Sequence, residues 1–106
     1  MDKGNSMIVK STFNGSGEFE LRDIYVVANV EVKDGIIEKI DFNSEQEEVA
    51  VEADIIAKQL KGQPLSKALE VKAKDVDSLE VRDEPIAKVA LLEAFHRAVE
   101  VCLHED

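Results

Sequence analysis

The sequence predicts an α+β domain: an antiparallel meander of three to four strands with helices packed on one face. Three observations predict it. Asp34-Gly35 is a two-residue hairpin signal, because a type I′ turn needs positive φ at both central positions. Ile24–Val32 alternates with period 2, placing Val26, Ala28, Val30 and Val32 on one face and Tyr25, Val27, Asn29 and Glu31 on the other. The period then changes. From Glu45 to Lys61, the residues Val49, Ala53, Ile56 and Leu60 recur at helical spacing and form one apolar stripe.

In order along the chain, Met1–Ser6 is polar, has no apolar signal core and is expected to be disordered. Met7–Phe13 reads as a strand, and Asn14-Gly15 as a second hairpin signal. Glu18–Leu21 reads as the next strand. Charge at Arg22-Asp23 interrupts it, which predicts either a bulge there or a fourth short strand. Ile36–Phe42 completes the meander.

The first helix closes on Gly62, a residue suited to the left-handed position after a helix, and Pro64 follows. Its start, Glu45-Gln46-Glu47-Glu48, puts carboxylates where the helix dipole favours them. Ser66 is placed to cap a short helical turn through Leu69, and Asp75 or Asp77 to start another. Asp83 caps the last helix, with Pro85 in its first turn, where a missing N–H costs nothing. That helix runs to about Leu103. Its stripe is Ala87, Leu91, Ala94, Phe95, Ala98 and Cys102, with Glu93, His96, Arg97 and Glu100 opposite. The 106 residues make one domain with a single modest core.

Composition narrows the function classes. With 44% hydrophobic and 34% charged residues the chain is globular. A net charge of −10, from 13 Lys+Arg against 23 Asp+Glu, repels phosphate backbones, and no local basic patch offsets it. Nucleic acid is therefore not expected as a partner. No apolar run approaches the ~18 residues of a membrane span. A lone cysteine, Cys102, excludes an internal disulfide and fits a reducing compartment, so a cytoplasmic location is expected.

Few residues carry a chemical signal. Cys102 lies on the buried stripe and reads as a small core hydrophobe. Glu93, His96, Glu100 and His104 fall at i, i+3, i+7 and i+11 on one helix face, a spacing that di-metal bundles also use. Here that face is opposite the apolar stripe, so it reads first as a solvated charged face and only second as a metal site. Val51 and Ile55 lie one turn apart, away from the Val49/Ile56 stripe, and Lys58 continues that face. They read as surface hydrophobes or as an apolar edge for a partner. The two histidines sit near the end of one helix and make no triad, and Asn14-Gly15-Ser16-Gly17 lacks the following helix of a phosphate loop.

Between Val30 and Val99 the order of motifs is distinctive. Val30-Glu31-Val32 precedes Asp34-Gly35-Ile36-Ile37-Glu38 and a strand to Phe42; a helix closes on Leu60-Lys61-Gly62. Leu65–Leu69, then Val71-Lys72-Ala73-Lys74-Asp75-Val76, and last the helix Pro85-Ile86-Ala87-Lys88-Val89 follow. This series resembles the NifU/IscU-type iron–sulfur cluster assembly scaffolds, of SufE/NifU-like fold. The resemblance implies ligand positions, which in that family are three cysteines helped by an aspartate. They correspond here to Arg22-Asp23, to Gln46 or Glu47, and to Ala90 or Leu91, and none is a cysteine. Asp23 falls near the family's acidic position, but one carboxylate alone holds no cluster, since iron and zinc centres of this kind need thiolates. The scaffolds' chaperone-recognition motif is reduced to Glu84-Pro85-Ile86-Ala87-Lys88. The resemblance thus implies the fold without the chemistry.

The expected function is a non-enzymatic binding or accessory module, without a cofactor, whose partner is another protein or a second copy of itself. A second expectation comes from the C-terminal accessory domain of lipoate–protein ligases, which is similar in its V-x-V-x-DG-x-I hairpin and its helix ending L-x-G. This chain has Asp41-Phe42-Asn43-Ser44 where Gly-Asp-Phe-Phe typically follows there. A third is a metal-binding component acting through the Glu93/His96/Glu100/His104 face.

Overall fold

The computed structural model describes residues 15–77 and 86–104, with the side chains of Glu48 and His104 outside that description. The expected strand Met7–Phe13, the expected disorder of Met1–Ser6 and the Asp83–Pro85 helix start lie outside the described residues. Gly15–Leu21 (β1), Ile24–Lys33 (β2) and Ile36–Asn43 (β3) form an antiparallel sheet in the order β1-β2-β3. Glu47–Leu60 (α1), Leu65–Ala68 (α2) and Ile86–His104 (α3) follow, with a 3-10 turn at Ala73–Asp75. The architecture is α+β, with α3 across β1 and β2 and α1 against β3.

The period-2 reading of β2 holds. Val26, Ala28 and Val30 have no solvent exposure, while Tyr25, Val27 and Asn29 face outward. Asp34 and Gly35 take φ of 54° and 77°, the positive pair that the hairpin signal required. Of the two expectations at Arg22-Asp23, the bulge is not found and the separate short strand is: β1 ends at Leu21 and β2 starts at Ile24. Leu21 pairs with Ile24, so these two residues are a tight reversal, with Arg22 at φ 58°. The irregularity sits on β3 instead: Glu31 pairs with Lys39 but Val32 with Ile37, leaving Glu38 as the extra residue. Strict alternation from Phe42 and Ile40 would point Glu38 inward. The bulge turns it out and seats Ile37 in the core with no exposure.

Asn14-Gly15 does not act as a hairpin turn at Gly15. Gly15 pairs with Val30 inside β1, and positive φ among the described residues is confined to Arg22, Asp34, Gly35 and Gly62. Gly15 and Gly17 share the core face of β1, and α3 crosses them at backbone distance. A Cβ on Gly15 would sit against Ala98 O and 2.6 Å from Cys102 Sγ; on Gly17 it would meet Ala98 N and lie 2.6 Å from Ala94 O. These glycines are absent side chains, not flexible hinges.

Each helix stripe is buried as its spacing predicted: Val49, Ala53, Ile56 and Leu60 on α1, and Ala87, Leu91, Ala94, Phe95, Ala98 and Cys102 on α3. The buried arc of α3 is wider than that stripe, since Ala90, Leu92 and Val99 are also covered. α1 starts at Glu47, with Gln46 in the cap position, and ends where Gly62 takes φ 90°. Beyond it the chain binds the β2–β3 hairpin: Gly62 N–H donates to Ile37 O (2.8 Å), Ile37 N–H to Gln63 O (3.0 Å) and Leu65 N–H to Gly35 O (2.8 Å). Pro64, not Ser66, precedes α2, because Pro64 already has the extended backbone that a helix entry needs. Asp75 ends the 3-10 turn and does not begin a helix; its carboxylate reaches back to accept from Lys72 N–H at 2.9 Å.

Gly17→Ala is expected to lower unfolding stability by about 3 kcal/mol in urea titrations, because its Cβ meets α3 backbone that cannot yield. Gly35→Ala, where a Cβ meets nothing within 4 Å, is expected to cost only about 1 kcal/mol through its positive φ.

Candidate functional site

Antiparallel pairing brings the β1–β2 turn and the end of β3 to one end of the sheet. The chain leaves β3 at Asn43 and enters α1 four residues later. Ser44 shapes that link: its hydroxyl donates to Gln46 Oε1 (3.0 Å), and Gln46 N–H donates back to Ser44 Oγ (3.4 Å). This points the Gln46 amide at the hairpin, where Gln46 Nε2 donates to Asp23 O. Arg22, Asp23 and Glu47 are exposed around this contact, and Gln46 is half-buried. The structure therefore brings together the residues at two of the three ligand-like positions.

Ala90 and Leu91, the third position, have no solvent exposure and belong to the core. The one thiol of the chain is elsewhere. Cys102 is 6% exposed and packs at the Gly15 end of β1, so it lies about 20 Å from the Arg22 turn at the ~3.3 Å rise of a strand residue.

On α3 the structure splits the Glu93/His96/Glu100/His104 face. His96 is not simply solvated: its Nε2 lies 2.8 Å from Val71 O, its side chain is 20% exposed, and its ring packs beside Phe95. Nδ1 lies 3.8 Å from Glu93 Oε1, whereas Glu100 is exposed. The Nε2–H tautomer suits the Val71 carbonyl, since only a donor can satisfy it. A metal at Nε2 would break that bond. His104 closes α3, and its side chain is outside the described residues. Among the described residues no group of three or more His, Cys, Asp or Glu is arranged to hold a metal ion.

A matching latch comes from α1. Gln59 Nε2 donates to Asp77 O (2.9 Å), and Asp77 N–H donates to Gln59 Oε1 (2.8 Å). His96 and Gln59 thus hold residues 71–77 over the core from two helices. A depression of about 280 Å³ opens beside this strap, with Leu60 and Val76 in its wall, and of its two amide side chains, Gln59 and Gln63, the first is engaged by Asp77. Sequence reasoning missed Gln59 and also Glu52, a carboxylate only 4% exposed. The signal was available: both lie on the shoulder of the α1 stripe, next to Val49 and Ile56, where a polar residue is half-enclosed by a neighbouring element.

Val51 stands 54% exposed, Ile55 is half-buried, and Lys58 Nζ pairs with Asp54 Oδ2 at 3.3 Å in full solvent. Such an exposed pair stabilises little. On the outer face of the sheet, Tyr25 OH donates to a Glu18 carboxylate oxygen. That hydrogen bond, then partial desolvation and the charges of Glu18 and Glu20, raise the Tyr25 phenol above its ordinary 10.0. Arg97, on the exposed flank of α3, lies 5.1 Å over the Phe19 ring and donates to Glu18 O at 3.2 Å. Among the described residues no helix is long and apolar enough to cross a membrane. The chain matches no protein-family model, and no curated protein sequence matches it.

Two outcomes follow from this geometry. His96→Ala is expected to cost about 1–2 kcal/mol in denaturant unfolding by leaving Val71 O without its donor, and zinc calorimetry is expected to show no micromolar site that this substitution removes. Glu18→Gln is expected to return the Tyr25 titration, followed by ultraviolet absorbance, toward 10.0. Because the folded value is the raised one, the stability linked to Tyr25 is full below pH 10.0 and is lost as pH rises past the folded value.

Proposed function

We propose that the chain is a non-enzymatic binding or accessory module, built on a frame resembling the NifU/IscU scaffolds and unable to hold a cluster through cysteines. The observation that supports this reading is the end of the sheet at Asp23 and Gln46. Two chain segments that would each present a thiolate in a scaffold are instead tied by an amide-to-carbonyl hydrogen bond. The third position is packed with Ala90 and Leu91. Cluster iron needs soft thiolate donors, and oxygen and amide groups at this rim do not replace them. Cys102, buried at the far end of β1, does not reach it.

The partner-facing surface in this reading is the α1 face of Val51, Ile55 and Lys58. Val51 presents an aliphatic side chain to water one turn from Ile55, and cations and carboxylates border it, the usual composition of a small docking patch. Its occupant is a second protein or a second copy of the chain.

Incubation with ferrous iron and sulfide under reducing conditions is expected to return a colourless protein; a stable absorbance band from a bound cluster would overturn the reading. Multi-angle light scattering of the wild type and of a Val51→Glu/Ile55→Lys variant tests self-docking: loss of dimer in the variant supports this face, and equal monomers restrict it to other partners.

A further inference from the structure

The sheet has two edges, and they are treated differently. The β3 edge is covered at Ile36–Ile37 by Gln63–Leu65 and twisted by the Glu38 bulge, both common ways to blunt an edge. Among the described residues the β1 edge has neither. Because the reversal at Arg22-Asp23 closes on Leu21 and Ile24, that pair exchanges ladder hydrogen bonds, and so do Phe19 with Val26 and Gly17 with Ala28. Ser16, Glu18 and Glu20 then turn their N–H and C=O groups outward. The structure displays this directly: Glu18 O accepts from the Arg97 guanidinium, a donor outside the sheet.

We propose that the β1 edge is a docking site for an extended, basic peptide segment that adds to the sheet as an antiparallel strand. The inference rests on the reading of the chain as a binding module and names a second surface and its occupant. Strand addition supplies main-chain hydrogen bonds to Ser16, Glu18 and Glu20, and the side chains set the choice of partner. Alternate residues of the incoming strand would stand beside Glu18 and Glu20 on the outer face, where Lys or Arg is favoured across from a carboxylate. The Tyr25 hydroxyl holds the Glu18 carboxylate in place on this face. The intervening residues would meet Phe19 and the stem of Arg97, where apolar side chains fit. A second copy is disfavoured here, since antiparallel pairing of two β1 edges centred on Glu18 sets carboxylates against each other. Arg97 is the incumbent cation, displaced when the strand arrives.

The full chain, labelled with nitrogen-15, is titrated with the end-blocked peptide Lys-Val-Lys-Thr-Lys-Val and with the control Glu-Val-Glu-Thr-Glu-Val. The expected result is shifts and at least tenfold slower amide exchange at Ser16, Glu18 and Glu20 with the basic peptide only. A Glu18→Lys/Glu20→Lys variant, folded by its spectrum, is expected to lose the basic peptide at least tenfold and to gain the acidic one. Three results would overturn the proposal: no shift, equal response to both peptides, or Glu18 and Glu20 amides already as protected in the free chain as Phe19. Shifts confined to Val51 and Ile55 would also overturn it, while leaving the binding-module reading intact.

Discussion

The structure depends on how closely α3 approaches β1. Helix and strand meet at backbone distance because both surfaces are nearly bare there: Gly15 and Gly17 on the strand, and Ala94 and Ala98 on the helix. That contact lowers α3 onto the sheet and puts Phe95, Leu91 and Val99, all without exposure, into one core with Val26 and Val30. Fully burying each such side chain contributes roughly 1.5–3 kcal/mol. A helix standing off the sheet by the width of a methyl group would leave gaps along the whole seam, because the packed interior tolerates few voids.

α1 is held differently, by its ends. At its start the Gln46 amide reaches the β1–β2 turn through Asp23 O, and at its end Gly62 through Leu65 bond the β2–β3 hairpin. The helix therefore bridges the two ends of the sheet, and only its middle is left to display side chains. Val51 and Ile55 lie on that middle stretch, and Lys58 follows them in the last turn. The shoulder next to Ile55 is taken by residues 71–77, fastened by Gln59 and His96.

Side-chain chemistry is distributed in the same way. Carboxylates line the outer sheet face and the α1 start, and the two groups with reactive reputations are used for structure: Cys102 packs in the core and His96 holds a backbone carbonyl. Neither role could be read from residue type alone. His96 was legible as lying opposite the apolar stripe of α3, and that placement is right. What the helical wheel does not contain is the strap that crosses the same face and gives the imidazole a partner. The paired glutamine and histidine latches are invisible for the same reason: their partners are backbone groups, 18 and 25 residues away, which carry no sequence signature.

By itself the sequence determined what depends on short-range physics. The alternation in β2, the Asp34-Gly35 turn, both helix stripes and the stop at Gly62 each follow from residues within a few positions of one another, and the α+β class follows from their order. Only the tertiary structure decided the rest. It made Gly15 and Gly17 a contact surface where local rules read a turn, chose a strand reversal over a bulge at Arg22-Asp23, put a bulge at Glu38, and set Asp23 beside Gln46 while burying Ala90 and Leu91. Those outcomes turn on which surface lies opposite. A glycine reads the same whether it bends the chain or admits a helix, and only the neighbour brought to it by folding distinguishes the two.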